Sequence, residues 1–206
     1  MAGSPVSLHV DAYGDGPSAV FVHGIFSWGL DTFPDQRDLA DAYRVLLIDR
    51  VGFGRTPRIG QPQVGWAVDG DALIELLEAE GPAHIVGHSY GAVVALLSAG
   101  TRPDLVRSLV LIEPLLFDIV ADQPPLESLV AAMRAVYEAA PTMTPQAFLA
   151  AFRAATGAPR QSTRQLAATM TEADWQAVDN SRFEAWPGDA QSTTSGSPRP
   201  RGRSCM

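Results

Sequence analysis

Residues 85–91 read Ile-Val-Gly-His-Ser-Tyr-Gly, and the apolar run Ala92-Val93-Val94-Ala95-Leu96-Leu97 follows at once. An apolar strand, a tight glycine-flanked turn and a helical run in direct succession mean a strand folding sharply onto a helix. A Gly-x-Ser-x-Gly turn in that setting is a nucleophile elbow. Gly87 and Gly91 flank Ser89 because larger side chains there would collide where strand meets helix. The turn forces Ser89 into a strained backbone conformation and lifts its hydroxyl clear of the sheet. It also leaves the amide of Tyr90 at a helix N-terminus, where a developing oxyanion can be held. A second fact opposes the first. All four histidines, His9, His23, His84 and His88, precede Ser89, and none follows it.

The surrounding sequence alternates strand and helix signals. Strands are expected near Leu8–Tyr13, Ala19–Val22, Tyr43–Ile48, Ala83–Val86 and Leu109–Ile112. Helices are expected near Pro34–Asp41, Asp69–Glu80 and Tyr90–Gly100, the second ended by Gly81-Pro82. This alternation predicts an α/β fold, a doubly wound and mostly parallel sheet with helices on both faces. Chemistry in such sheets collects at the carboxyl ends of the strands. His23-Gly24, Asp49, Ser89 and Glu113 all lie just past strand ends, so one rim gathers them. Beyond Glu113 the pattern changes. Residues 115–186 are alanine-rich, with helical segments expected near 126–140, 145–155 and 163–183, and no further strand–helix pair is readable.

Composition narrows the possibilities. With 206 residues and 46% hydrophobic content, the chain can build one domain with a substantial core. Its net charge of −8 argues against nucleic acid as a partner. The single cysteine, Cys205, excludes a disulfide framework, and no Cys/His spacing suggests a metal. No phosphate-binding or dinucleotide-binding glycine motif is present, so no cofactor is expected. The first residues lack a basic start and an apolar stretch, and no apolar run approaches the roughly 18 residues that span a bilayer. The expectation is a cytoplasmic protein without a membrane partner; the residues leave its oligomeric state unset.

Four features in this order resemble the α/β-hydrolase fold superfamily, in its esterase, epoxide-hydrolase and dehalogenase-like branch. They are Val20-Phe21-Val22-His23-Gly24, the loop Asp49-Arg50-Val51-Gly52-Phe53-Gly54-Arg55-Thr56, the elbow at 87–91, and Leu109-Val110-Leu111-Ile112-Glu113-Pro114. The resemblance implies Ser89 as nucleophile, acting on an ester or related small acyl substrate through an acyl-enzyme. It implies an oxyanion hole from the amides of Ile25 and Tyr90. Glu113 is a candidate triad acid, because some branches place the acid after this strand, and Asp118 is a weaker one. His23 is expected to order its loop, His88 and His84 to be structural, and His9 to lie at the surface. Asp49 and Arg50 are expected to stabilise the loop after their strand. Phe26, Trp28, Phe53 and Phe117 suit either an apolar pocket or ordinary packing.

The resemblance also marks a departure. The order in this fold is serine, acid, histidine, and the histidine follows the last strand. The final strands, their helices and that histidine are missing here. We therefore expect a core at 1–114, a helical cap-like region at 115–186 and a disordered tail at 187–206, which has almost nothing apolar to bury. The tail reads like a coding sequence out of frame, so the chain is expected to be truncated or frameshifted, with its sheet ending at an open edge. Impaired hydrolysis is the expected consequence. A non-catalytic remnant that retains the fold is the alternative.

Overall fold

A computed structural model describes residues 6–58, 65–117 and 123–186. Asp118 and the 187–206 tail lie outside the described residues. Five strands form one sheet: β1 (His9–Tyr13), β2 (Ser18–Val22), β3 (Arg44–Asp49), β4 (Ala83–His88) and β5 (Val106–Ile112). Their order across the sheet is β1-β3-β2-β4-β5. β1 runs antiparallel to β3, and every other pairing is parallel. β2 therefore lies at the centre, with Val20 opposite both Leu46 and Ile85.

Strand alternation divides the apolar residues between two faces. Val20, Val22, Leu46, Ile48 and Ile85 face helices α2 (Trp66–Glu80) and α3 (Tyr90–Thr101), where Leu73, Leu77, Val93 and Val94 complete the main core. Full burial of a side chain such as Leu73 or Leu77 is worth about 2 kcal/mol. Ala19, Phe21, Val45 and Leu47 face the other way, against Phe33 and Leu30. That second layer is thin. It comprises a single helical turn, α1 (Gly29–Thr32), and a 3-10 helix at Pro34–Asp41 rather than a longer α-helix.

α2 begins at Trp66, one turn earlier than its leucine spacing suggests, because the Tyr90 hydroxyl accepts a hydrogen bond from the Trp66 amide at 3.0 Å. It ends at Gly81, which adopts φ 83° and donates its amide to the Leu77 carbonyl at 2.9 Å.

Among the described residues β5 borders the sheet, with Val110 49% exposed and Ile112 41%.

Among the described residues, four α-helices follow: α4 (Pro124–Ala139), α5 (Pro145–Ala155), α6 (Arg160–Thr169) and α7 (Glu172–Ser181). The single helical stretch expected over 163–183 is broken at Met170-Thr171. Thr171 and Asp174 form a reciprocal capping box, the Thr171 amide donating to Asp174 at 2.6 Å, which starts a new helix. Tyr137 packs edge-on to Phe148 and Phe152 and so joins α4 to α5, and Phe117 stacks on Trp186 at 5.0 Å.

Candidate active site

Ser89 joins β4 to α3 with φ 55° and ψ −117°, a conformation that side-chain-bearing residues rarely adopt. Its amide donates to the Ile112 carbonyl at 2.8 Å, which ties the turn to the end of β5. The glycines are sterically required, for two different reasons. A Cβ on Gly87 would sit 2.6 Å from the Ala92 Cα, inside the turn itself. A Cβ on Gly91 would sit 2.3 Å from the carbonyl oxygens of both Val22 and His23, so this glycine lets α3 dock on the end of β2. The same closeness brings the His-Gly loop to Ser89: a Cβ on Gly24 would lie 3.0 Å from the Ser89 Cβ.

Among the described residues, three other than glycine have positive φ: Phe26 at 63°, Ser89 at 55° and Glu113 at 48°. They follow β2, β4 and β5, so backbone strain gathers on the carboxyl rim.

The loop carrying Ile25 is held by a buried knot. The Arg50 Nε donates to the His23 carbonyl at 3.0 Å, and its Nη2 to the Gly24 carbonyl at 2.9 Å. Its Nη1 pairs with Asp69 at 2.8 Å and Glu184 at 2.6 Å, and all three side chains are buried. The guanidinium also lies over the rings of Phe53 and Tyr90. Because a trans peptide points its N–H opposite its C=O, drawing the Gly24 carbonyl into this knot turns the Ile25 amide away from it. No described group accepts a hydrogen bond from the amide of Ile25 or Tyr90.

His23 is committed to structure. Its Nδ1 donates to the Gly24 carbonyl at 2.8 Å, and its Nε2 accepts from the Arg50 amide at 2.9 Å. Burial, aided by the Arg50 charge, pushes its pKa well below the ordinary histidine value, so the ring is neutral. Asp49 orders the next loop, accepting from the amides of Gly29 at 2.9 Å and Arg55 at 2.8 Å. His84 pairs with the Ser108 hydroxyl at 2.8 Å. His9, expected at the surface, is half-buried in β1. His88 faces away from Gly87, and its Nδ1 is buried against Gly24 without a described partner.

Of the proposed site residues, Ser89, Tyr90, Ile25 and Glu113 share the rim, and Glu113 is exposed one residue past the Ile112 carbonyl that holds Ser89. Among the aromatic residues, Phe53 is core, packed edge-on to His23. Phe26 packs edge-on to Phe148 and Phe152 of α5. It also lines a cavity of about 380 Å³ with Leu149, Phe152, Arg153 and Met170, which Ser89 does not line. Among the described residues, no group of three histidine, cysteine, aspartate or glutamate side chains is placed to hold a metal ion. No helix there is long and apolar enough to cross a membrane.

Asp69, Ser181 and Glu184 have no motif to announce them. Ser181 accepts from the Phe26 amide at 3.0 Å, and Asn180 donates to the Gly52 carbonyl, so α7 grips the same loops from above. Burial raises the Glu184 pKa to about 7, against the opposing pull of Arg50. One guanidinium serves two buried carboxylates, and Asp69 is raised too.

The family model described as Alpha/beta hydrolase family matches residues 19–203, most of the chain. This chain belongs to the alpha/beta hydrolase family. Relatives of this alpha/beta hydrolase include the 2-(acetamidomethylene)succinate hydrolase of Mesorhizobium japonicum, 37% identical over 52% of this chain and 39% of that protein. Lipase LipV of Mycobacterium tuberculosis is 36% identical over 53% of this chain and 42% of its own length. The pimeloyl-[acyl-carrier protein] methyl ester esterase of Chromobacterium violaceum is 36% identical over 52% and 41%. The chain thus spans about two fifths of the length of these curated relatives. The solved alpha/beta hydrolase of Sphaerobacter thermophilus matches with a TM-score of 0.63 at 22% identity, covering 86% of this chain and 69% of that one, a likeness of fold.

Proposed function

We propose that Ser89 is the nucleophile of an acyl-hydrolysing site that takes an ester or related small acyl compound. The observation that carries this is the strained serine at the strand–helix junction, next to a loop whose Ile25 amide, like that of Tyr90, has no acceptor among the described residues. Attack by the Ser89 Oγ on the carbonyl carbon forms the acyl bond and moves the carbonyl electrons onto oxygen. The Ile25 and Tyr90 amides would hold that oxyanion. The C–O bond to the leaving group then breaks, the alcohol departs with the proton given up by the Ser89 hydroxyl, and water cleaves the resulting acyl-enzyme to the acid and free serine. Glu113, exposed on the rim, is the candidate to orient a base, and the helices of 115–186 act as a cap over the site.

The base is the weak link. Within these 206 residues no histidine follows Ser89. Both ring nitrogens of His23 are engaged, and His84 is paired with Ser108. Without a base the serine keeps its proton near neutral pH, and an oxyanion hole with a binding pocket alone sustains about 10³–10⁴ over water. Those engaged histidines favour a second reading, a non-catalytic relative that retains the fold.

A fluorophosphonate probe and a p-nitrophenyl ester test this. Labelling, and p-nitrophenolate release above the rate that imidazole gives without protein, should rise on adding imidazole and vanish in Ser89→Ala. Failure of imidazole to raise either signal would support the non-catalytic reading.

A further inference from the structure

We propose that Ser181 is a positioning residue for the acyl-hydrolysing site: from α7 it holds Phe26 in a left-handed conformation and so keeps the Ile25 amide aimed at the oxyanion. The inference rests on the reading of Ile25 as an oxyanion donor. The Phe26 amide donates to the Ser181 Oγ at 3.0 Å across 155 positions of sequence. Ser181 is buried, and its hydroxyl donates in turn to the Ala177 carbonyl at 2.9 Å, one turn back along α7. With its proton committed there, the oxygen presents a lone pair to Phe26.

Two successive peptide planes are thereby fixed, one on either side of Ile25. Arg50 holds the Gly24–Ile25 plane through the Gly24 carbonyl at 2.9 Å, and Ser181 holds the Ile25–Phe26 plane through the Phe26 amide. The second plane needs an outside hold, because Phe26 sits at φ 63°, where bulky residues are rarely found. Rotating that plane changes ψ of Ile25 and φ of Phe26 together, and returns Phe26 to negative φ. The bond to Ser181 opposes this rotation. The Phe26 ring is held edge-on against Phe148 and Phe152, so relaxation displaces Ile25 rather than the ring. Small displacements matter here, since the loop passes directly against the elbow: a Cβ on Gly24 would lie 3.0 Å from the Ser89 Cβ. A misplacement of about 1 Å can cost about 10²-fold in rate.

Amide resonances and hydrogen exchange of the ¹⁵N-labelled full chain give a first test that needs no chemistry at Ser89. The Phe26 amide should exchange slowly. Ser181→Ala should speed that exchange by about tenfold or more and shift the Ile25 amide resonance. Ser181→Thr, which keeps the acceptor, should restore both. Ser98→Ala removes another buried serine hydroxyl, inside α3, and should move neither. Ser181→Cys has a similar shape and a weak acceptor, and takes the place of Ser181→Ala in both tests should the alanine variant not fold.

Ser89-dependent cleavage of the p-nitrophenyl ester with imidazole gives the second test. Ser181→Ala should lower kcat by about 10- to 10²-fold with KM nearly unchanged, because the oxyanion forms only after binding and losing a whole donor costs about 10²–10³. Ser181→Thr should recover most of that loss. An Ile25 amide indifferent to Ser181→Ala overturns the proposal whatever Ser89 does, and so does a Ser89-dependent kcat that Ser181→Ala leaves unchanged. Absence of any Ser89-dependent turnover in the parent chain counts instead against the acyl-hydrolysing reading, and the Ile25 response then decides the role of Ser181 by itself.

Discussion

Arg50 and Ser89 stand at the ends of β3 and β4, separated by one strand of the same rim, in opposite circumstances. Arg50 is enclosed: its guanidinium meets two backbone carbonyls, two carboxylates and two aromatic faces. Ser89 is half-exposed and strained, beside amides that donate to nothing described. The first arrangement stores stability and the second forgoes it. The difference teaches that the scaffold aiming the site can persist independently of the proton acceptor the site requires, since none of the knot's bonds runs through a residue of the proposed acid–base machinery.

The hardest blow to this contrast is Arg50→Met. It keeps an apolar stem over Phe53 and Tyr90 but strands Asp69 and Glu184 in the interior. Removing one partner of such a buried assembly costs about 3–5 kcal/mol. Urea unfolding monitored by tryptophan fluorescence should show that loss. A cost under about 1 kcal/mol would mean that the knot is not the anchor described here.

The elbow could be read from the sequence because its physics is local. Gly87 and Gly91 are spaced by the clashes they avoid, and the apolar runs on either side declare strand and helix. The main sheet and helices α2 and α3 followed from the same short-range patterning. The knot was half legible. Arg50 belongs to a loop motif, whereas Glu184 reaches it from far along the chain, and no local pattern encodes such a contact. Ser181 meets Phe26 across 155 positions for the same reason. The break before α7 is a different case. Thr171 and Asp174 cap each other locally, within a stretch whose composition is helical on both sides and hides the break. The Ile25 amide depended on the loop around Gly24, whose carbonyl direction is set by Arg50 and not by its neighbours in sequence.

Within the knot, pH separates the carboxylates from the arginine. Burial holds Glu184 near 7 against an ordinary 4.5, and Asp69 is shifted the same way. The stability tied to a raised carboxyl pKa is fully present below the unfolded value. It is lost as pH rises through the folded one. The chain should therefore lose on the order of 3 kcal/mol between about pH 4.5 and a little above 7. Glu184→Gln cannot ionise and should flatten most of that slope. Urea midpoints at pH 5 and pH 8 for both chains give the comparison, and parallel slopes would contradict the assignment to Glu184.

The smallest effect lies at the elbow, where its sign matters more than its size. A side chain held at φ 55° and ψ −117° costs about 1–3 kcal/mol, and glycine escapes that cost. Glycine also loses about 0.5–1 kcal/mol through its freer unfolded state. Ser89→Gly should therefore be more stable than Ser89→Ala by roughly 1 kcal/mol. Ser98 sits inside α3 and is fully buried, so it supplies the internal control. There Ser98→Gly should fall below Ser98→Ala by about 1 kcal/mol, because a helix interior offers glycine no strain to relieve. Thermal melts of the four variants measure two differences of opposite sign. If both pairs favoured alanine, the elbow would hold no strain, and Ser89 would be no different from any other residue that opens a helix.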